Sequence, residues 1–154
     1  MNVLDISLFL SVWAPWFAVL LATPLIMHTK NYRRAVLYVA LLFAVLAAVA
    51  AVKTLTAIPR PDGALIPELG SSFPSGHAAL AFVPLGFYWS LVRWPHRIAL
   101  FLFGALVAYS RLVLNVHYPI DVVAGGLIGF AVPYAVMRNE RTVLRLVHRI
   151  VKER

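Results

Sequence analysis

The chain has 154 residues, of which 62% are hydrophobic, with a mean hydropathy of +0.83 and a formal net charge of +8 at pH 7. An apolar fraction this far above the roughly 45–50% of soluble proteins excludes an ordinary soluble domain and indicates an integral membrane protein. The absence of cysteine excludes disulfides, thiolate metal sites and a cysteine nucleophile.

Apolar segments of about the length that crosses a bilayer follow one another along the chain: Leu8–Met27, Ala35–Val52, Ala78–Val92, Ile98–Leu114 and Ile120–Met137. The first has no basic region before it, which predicts a retained helix rather than a cleaved signal peptide. The third is short and contains Pro84, so a buried or kinked helix is the alternative to a span. The predicted fold is an all-α integral-membrane bundle of about five transmembrane helices, forming a single domain over residues 1–154.

Basic residues are distributed unevenly between the two sides of this bundle. Five spans place most of the 14 Lys and Arg residues on one side: Lys30, Arg33, Arg34, Arg93, Arg97, Arg138, Arg141, Arg145, Arg149, Lys152 and Arg154. Because such an excess marks the cytoplasmic face, we expect the N-terminus outside and the C-terminus in the cytoplasm of a prokaryotic-type inner or plasma membrane. The positive charge is thereby explained without a nucleic-acid partner.

The C-terminal stretch from Arg138 repeats basic residues at spacings of three and four, with apolar residues between them. This pattern predicts an amphipathic basic helix that lies in the membrane interface. A tail that only obeys the positive-inside rule and a lipid-recognition element are both compatible with it.

Polar residues cluster at three places on the predicted outer face: KTLTAIPRP (53–61), FPSGH (73–77) and SRLVLNVHYPID (110–121). Each cluster lies at the end of a predicted helix, so all three are expected to converge at one membrane depth. The connection Lys53–His77 is long, polar and rich in Pro and Gly, and such loops are uncommon unless functional. The functional site is therefore predicted to lie on the outer face.

The first two clusters have the character of an anion site. A lone lysine such as Lys53 at a helix end more often snorkels to the interface, but Arg60 nearby favours a shared anion. Ser75, Gly76 and His77 open the third helix, where unpaired N–H donors and the positive end of the helix dipole suit a phosphate. The alternative is an ordinary N-cap by Ser75 with an interfacial His77.

The third cluster places a carboxylate beside a histidine. Arg111 ends the fourth span and His117 precedes the fifth, with Asp121 four residues later on the same helix face. Such a carboxylate fixes the tautomer of the ring and stabilises its imidazolium form. Asp121 is thus the single carboxylate expected to face five cationic or potentially cationic groups, which need an anion such as phosphate between them: Lys53, Arg60, His77, Arg111 and His117.

In order and spacing, the clusters resemble the signature of the type 2 phosphatidic acid phosphatase superfamily, K-x6-R-P, then P-S-G-H, then S-R-x5-H-x3-D. Every position is met: Lys53, Arg60, Pro61, Pro74, Ser75, Gly76, His77, Ser110, Arg111, His117 and Asp121. The resemblance implies a helical membrane architecture. Many membrane members have six spans, whereas five are counted here.

The resemblance also implies a role for each residue. His117 would be the nucleophile that forms a phosphohistidine, Asp121 would orient it, and His77 would be the general acid. The phosphate pocket would consist of Lys53, Arg60, Ser75, Arg111 and the Gly76 amide. No metal or other cofactor is implied. Independently, a metal is disfavoured because the carboxylates of the outer face show no clustering outside the motif: Asp5, Asp62, Glu68 and Asp121.

The predicted activity is removal of phosphate from a membrane lipid phosphate or pyrophosphate at the extracytoplasmic side. An isoprenoid pyrophosphate carrier of the undecaprenyl pyrophosphate kind is favoured, with phosphatidylglycerol phosphate, phosphatidic acid and lipid A 1-phosphate as alternatives. Vanadate-dependent halide oxidation and non-catalytic phospholipid binding or transport also stay open. Gly125 and Gly129 have the four-residue spacing of close helix packing, either within the chain or in a dimer whose existence the sequence does not indicate.

Overall fold

The computed structural model describes residues 2–21, 32–140 and 142. Within these ranges the chain forms helices and no strand: α1 Val3–Leu20, α2 Tyr32–Thr56, α3 Gly76–Tyr88, α4 Trp94–Val113 and α5 Pro119–Arg138. They match the five predicted segments in order, which confirms the all-α membrane bundle. The predicted end of the first span at Met27 and the predicted basic helix beyond residue 142 lie outside the described residues.

Helix α1 begins five residues before the predicted start of the first span at Leu8. The side chain of Asn2 accepts the N–H of Asp5 at 2.8 Å, and the Asp5 carboxylate accepts the N–H of Asn2 at 3.0 Å. This reciprocal capping box satisfies two donors that a helix start otherwise leaves unpaired. The polar cap, rather than the first apolar residue, therefore fixes where α1 begins.

The central element of the bundle is the short helix α3. Helices α1, α2, α4 and α5 are long and apolar enough to cross a membrane, whereas α3 has only 13 residues, about 20 Å of helix against a hydrocarbon core of ~30 Å. It packs against all four of the others, and most of its residues are buried. The segment predicted as a third span is thus a short helix at the centre of the bundle, largely covered by the other helices.

Contacts at one end of the bundle fix the relative direction of the helices. Arg34 at the start of α2 pairs with Glu140 just after α5, with Nε 2.8 Å from Oε1. The hydroxyl of Tyr88 at the end of α3 donates to the carbonyl of Leu21 after α1. The end of α2 and the starts of α3 and α5 consequently lie at the opposite end, where the polar clusters are.

Helices α3 and α5 touch backbone to backbone. A Cβ atom at Gly125 would lie 2.3 Å from the carbonyl oxygen of Ser75, and one at Gly129 would lie 2.0 Å from that of Ala79. Only glycine, which has no Cβ atom, allows the two helices to approach so closely at these positions. The small-residue spacing in α5 therefore serves helix packing within the chain.

Candidate active site

The three polar clusters converge as predicted, and Lys53 marks one edge of the site. It lies in the last turn of α2 and is half-buried. Its Nζ donates to the carbonyl of Ser71 and, at 3.3 Å, to that of Ser72. Lys53 is thus held by the loop before α3 instead of reaching freely toward the interface.

Arg60 lies at the centre of the site and contacts two of its other elements. Its Nη1 donates to the carbonyl of Val116 at 2.8 Å and lies 3.4 Å from Nε2 of His117. Its other nitrogens donate to carbonyls of the loop before α3, at Leu69, Gly70 and Ser71. This arginine therefore joins the loop after α2 to the histidine that precedes α5.

The start of α3 has both the cap and the free donors that the sequence suggested. Ser75 is fully buried, its hydroxyl accepts the N–H of Ala78 at 3.4 Å, and its own N–H donates to the carbonyl of Asp121 at 2.9 Å. Among the described residues, nothing accepts the N–H groups of Gly76 and His77. Ser75 thus acts as an N-cap, while the next two amides stay available for an anion.

His117 and Asp121 form the buried pair expected of them. Nδ1 of His117 lies 3.4 Å from Oδ2 of Asp121, which also accepts the N–H of Tyr118 at 2.8 Å. The two residues are 4% and 0% exposed, so water does not compete for this contact. The other oxygen of Asp121, Oδ1, has no partner among the described residues.

The surroundings of His117 determine its tautomer and charge. A guanidinium can only donate, so Nε2 of His117 must be the acceptor toward Arg60, and the proton resides on Nδ1 facing Asp121. Burial, together with the positive charge of Arg60, lowers the pKa of His117 to about 3. At neutral pH the ring is therefore neutral, with the lone pair of Nε2 directed toward Arg60 in the site.

Arg111 is fully buried at the end of α4, where α1 supplies a contact that the sequence did not indicate. Its Nη1 donates to Oγ of Ser11 at 2.7 Å. The carbonyl oxygen of Ser11 lies 3.1 Å from Nε2 of His77. The Nε donor of Arg111 has no partner among the described residues. Helix α1 thus supports both the second and the third cluster, although it carries no motif.

Glu68 lies among the cations, and the expectation of a single facing carboxylate is wrong. Its Oε2 is 3.0 Å from Nη2 of Arg60, and its Oε1 pairs with Nη2 of Arg111 and lies 3.9 Å from Nδ1 of His77. Glu68 occupies no motif position, and Arg111 meets it only through the tertiary structure, which is why the spacing of residues did not indicate it. The sequence did offer one indication of a second carboxylate, because five cationic or potentially cationic groups that lie together need an anion between them.

An apolar cavity of about 430 Å³ opens between α3, α4 and α5. Its lining is almost wholly apolar: Phe82, Leu85, Trp89, Phe101, Ala108, Val122, Val123, Gly126, Leu127 and Phe130. Val122 directly follows Asp121, so the cavity begins beside the polar site and extends along the helices away from it. The site thus has a polar part and an adjoining apolar part.

Several known proteins are similar to this chain. An undecaprenyl-diphosphatase of Sulfolobus acidocaldarius is 36% identical over 73 residues, 46% of this chain and 34%, about a third, of that relative. LpxE of Aquifex aeolicus superposes with a TM-score of 0.70 at 25% identity, covering 86% of this chain and 85% of LpxE.

A transmembrane PAP2 type phosphatidylglycerolphosphate phosphatase of Bacillus subtilis superposes with a TM-score of 0.73, covering 92% of this chain and 76% of that one. At 22% identity this likeness concerns the fold. Residues 34–145 match the PAP2 superfamily, a range that contains all three polar clusters and most of the bundle. The chain belongs to the PAP2 superfamily.

Proposed function

We propose that the protein is a metal-independent membrane phosphatase that hydrolyses a lipid phosphate or pyrophosphate through a phosphohistidine at His117. The observation that carries this proposal is the state of that ring. It is buried, neutral at pH 7, and bonded at Nδ1 to Asp121, so that Nε2 is the nucleophilic atom. Binding alone would need the cations but not an oriented nucleophile.

In the first step, Nε2 of His117 attacks the terminal phosphorus, a P–N bond forms, and the P–O bond to the leaving lipid alcohol or lipid monophosphate breaks. The ring acquires positive charge, which the Asp121 carboxylate stabilises. Water then attacks the phosphohistidine, the P–N bond breaks, and inorganic phosphate and neutral His117 are regenerated. The net reaction consumes one water and leaves a lipid alcohol, or a lipid monophosphate where the substrate is a pyrophosphate.

His77 is suited to give and take the proton in these steps. A carbonyl only accepts, so the contact of Nε2 with Ser11 places a proton there and leaves Nδ1 facing the Glu68 carboxylate, which pairs with Arg60 and Arg111. Protonated at Nδ1, His77 donates that proton to the leaving oxygen as the first P–O bond breaks. It then takes a proton from the attacking water in the second step.

The phosphoryl oxygens would bind to groups that converge opposite Nε2 of His117. Arg60 and Arg111 offer guanidinium forks, and Gly76 and His77 offer the free N–H groups at the start of α3. Lys53, linked to Arg60 through the carbonyl of Ser71, adds charge at the rim. These groups stabilise charge on the oxygens as the transition state develops.

The apolar cavity favours a lipid over a water-soluble phosphate. It adjoins Asp121 through Val122, and the hydrocarbon tail of a substrate would lie there while its phosphate reaches the polar site. The similarity to an undecaprenyl-diphosphatase supports an isoprenoid pyrophosphate as the first substrate to test. The positive-inside distribution supports a site on the extracytoplasmic side.

The decisive test is release of inorganic phosphate by purified protein in detergent with a chelator present. Substrates would include undecaprenyl pyrophosphate, phosphatidylglycerol phosphate, phosphatidic acid and lipid A. We expect turnover that His117→Ala abolishes while the variant still inserts and folds. Undiminished turnover in His117→Ala would contradict the phosphohistidine, saturable binding without release would indicate a lipid-binding protein, and halide oxidation with added vanadate would indicate the other enzyme class.

A further inference from the structure

We propose that the carboxylate of Glu68 and the phosphate of the substrate compete for the same two arginines, so that Glu68 acts as an internal, displaceable anion. This inference rests on the proposed phosphatase function, because it concerns the same pocket. Glu68 belongs to none of the three motifs. Its side chain lies in the loop between α2 and α3 and is 18% exposed.

The geometry of Glu68 is that of a bound oxyanion. One carboxylate oxygen pairs with Arg111, the other lies 3.0 Å from Arg60, and the first is also 3.9 Å from Nδ1 of His77. Two oxygens of a phosphate bridging the same arginines would use the same N–H donors and face the same histidine. Both anions cannot hold these donors together, because their like charges would repel at such separations.

The burial of Arg111 explains why an anion is needed at this position. Its side chain is 0% exposed, and apart from Glu68 its side-chain partner among the described residues is the neutral hydroxyl of Ser11. A buried guanidinium without a counter-ion is costly. Glu68 supplies that counter-ion, and the unpartnered Nε of Arg111 leaves one donor with which to begin binding a second anion.

The loop around Glu68 is anchored through its backbone, independently of the carboxylate. Two backbone hydrogen bonds bracket the segment, from Leu65 N to the carbonyl of Leu114 at 3.0 Å and from Ser72 N to that of Ile58 at 2.8 Å. Between these anchors, Leu69 is 98% exposed. The carbonyls of Leu69, Gly70 and Ser71 also accept from Arg60, so the backbone of the segment stays attached when the carboxylate turns away by rotation of its own side chain.

This competition has a consequence for turnover. Substrate must displace Glu68 to reach the arginines, which weakens binding of every phosphate. After hydrolysis, the returning carboxylate displaces inorganic phosphate in the same way. Glu68 thereby limits inhibition by a product that the pocket would otherwise hold tightly. A residue that only positioned His77 would instead change kcat and leave phosphate affinity unchanged.

The test is the affinity of the full-length protein in detergent for inorganic phosphate, measured by calorimetry without turnover. We expect Glu68→Gln to bind phosphate on the order of tenfold more tightly than wild type. The matched control is Asp62→Asn, which removes the same charge from the same loop. The Asp62 side chain is exposed and makes no ion pair among the described residues, so phosphate affinity should match wild type.

Equal or weaker phosphate binding by Glu68→Gln would overturn the proposal, as would equal tightening in Asp62→Asn. If Glu68→Gln fails to fold, Glu68→Asp decides by the same criteria, because it keeps the charge but shortens the reach toward both arginines. Phosphate binding is measured separately from hydrolysis. Failure of the competition is therefore distinguishable from failure of the phosphatase function, which would appear as absent phosphate release.

Discussion

The carboxylate of Asp121 is fixed by the backbone at the point where it meets His117. Its Oδ2 accepts the N–H of Tyr118 at 2.8 Å and lies 3.4 Å from Nδ1 of His117. Both contacts occur at the first turn of α5, within a buried environment. The orientation of the histidine ring is consequently set by the start of a helix.

Asp121→Asn removes the negative charge that stabilises the ring as it becomes positive. An asparagine has almost the same shape and can keep the bond from Tyr118, so the fold should persist. We expect kcat for phosphate release to fall by 10²- to 10⁴-fold, on the order seen when a triad carboxylate is neutralised. Circular dichroism and gel filtration in detergent would verify folding, and kcat above half of wild type would contradict the assigned role.

The stability of the protein should decrease in acid because of His117. Burial and the charge of Arg60 lower the pKa of its ring to about 3 in the folded protein, whereas an unfolded chain binds this proton near pH 6.5. The free energy of unfolding is therefore unaffected by His117 above pH 6.5 and declines between pH 6.5 and 3. At pH 5 the loss should be on the order of 2 kcal/mol.

Thermal unfolding in detergent at pH 7.5 and pH 5 measures this loss. His117→Gln cannot take up the proton, so it should lose less stability than wild type over that interval. The control is His96→Gln, at an exposed position of α4, which should follow wild type. Equal acid destabilisation of wild type and His117→Gln would contradict a buried neutral ring.

Gly125→Ala should separate α3 from α5 at the site. The added methyl would lie 2.3 Å from the carbonyl oxygen of Ser75, which belongs to the backbone and cannot turn away. We expect destabilisation of roughly 1–3 kcal/mol and a loss of phosphate release. Gly126→Ala is the control for stability alone, because its methyl would meet the side chain of Phe82 at 3.2 Å instead of a backbone atom; equal destabilisation by the two changes would contradict this reasoning.

Filling the apolar cavity should discriminate against long-chain substrates. Ala108 lines it from α4, and tryptophan there would occupy space proposed for a lipid tail. We expect kcat/KM for a long-chain lipid phosphate to fall on the order of tenfold, with little change for a short water-soluble phosphate ester. Ala131→Trp, at an exposed position of α5 outside the cavity, should leave both values unchanged. An equal loss for both substrates would indicate a damaged site instead.

The predicted orientation can be tested with single cysteines, since the chain has none of its own. Leu69 is 98% exposed in the loop at the polar end, and Asn139 is exposed just after α5 at the other end. We expect a membrane-impermeant maleimide added to intact cells to label Leu69→Cys, and Asn139→Cys only after permeabilisation. The reverse pattern would place the site in the cytoplasm.

Much of the fold could be predicted because membrane helices carry strong local signals. The apolar stretches located α2, α4 and α5 to within a few residues. The burial of helix α3 was harder to predict, since a helix covered by protein is as apolar as one that faces lipid. Only its short length and Pro84 indicated a buried helix. The start of α1 depends on Asn2, a single polar residue that a hydropathy window does not register.

The motif residues were predictable because their spacing places them at helix ends. Glu68 and Ser11 were not, because each reaches Arg111 from a distant part of the chain, through tertiary structure alone. Ser75 shows a further limit of spacing. A motif position suggested a phosphate ligand, whereas the amide of this serine is bonded to the carbonyl of Asp121, a fact that only the packing of α3 on α5 reveals.

The hydrogen bond from the amide of Ser75 to the carbonyl of Asp121 does not depend on any side chain. The amide of Ser75 and the carbonyl of Asp121 join the two halves of the site through main-chain atoms, and Gly125 and Gly129 keep their helices at that spacing. Side chains that face the lipid take no part in this backbone contact between α3 and α5. The outside of the bundle can therefore be rebuilt for lipids of different tails and headgroups while the relative placement of the two histidines stays constant.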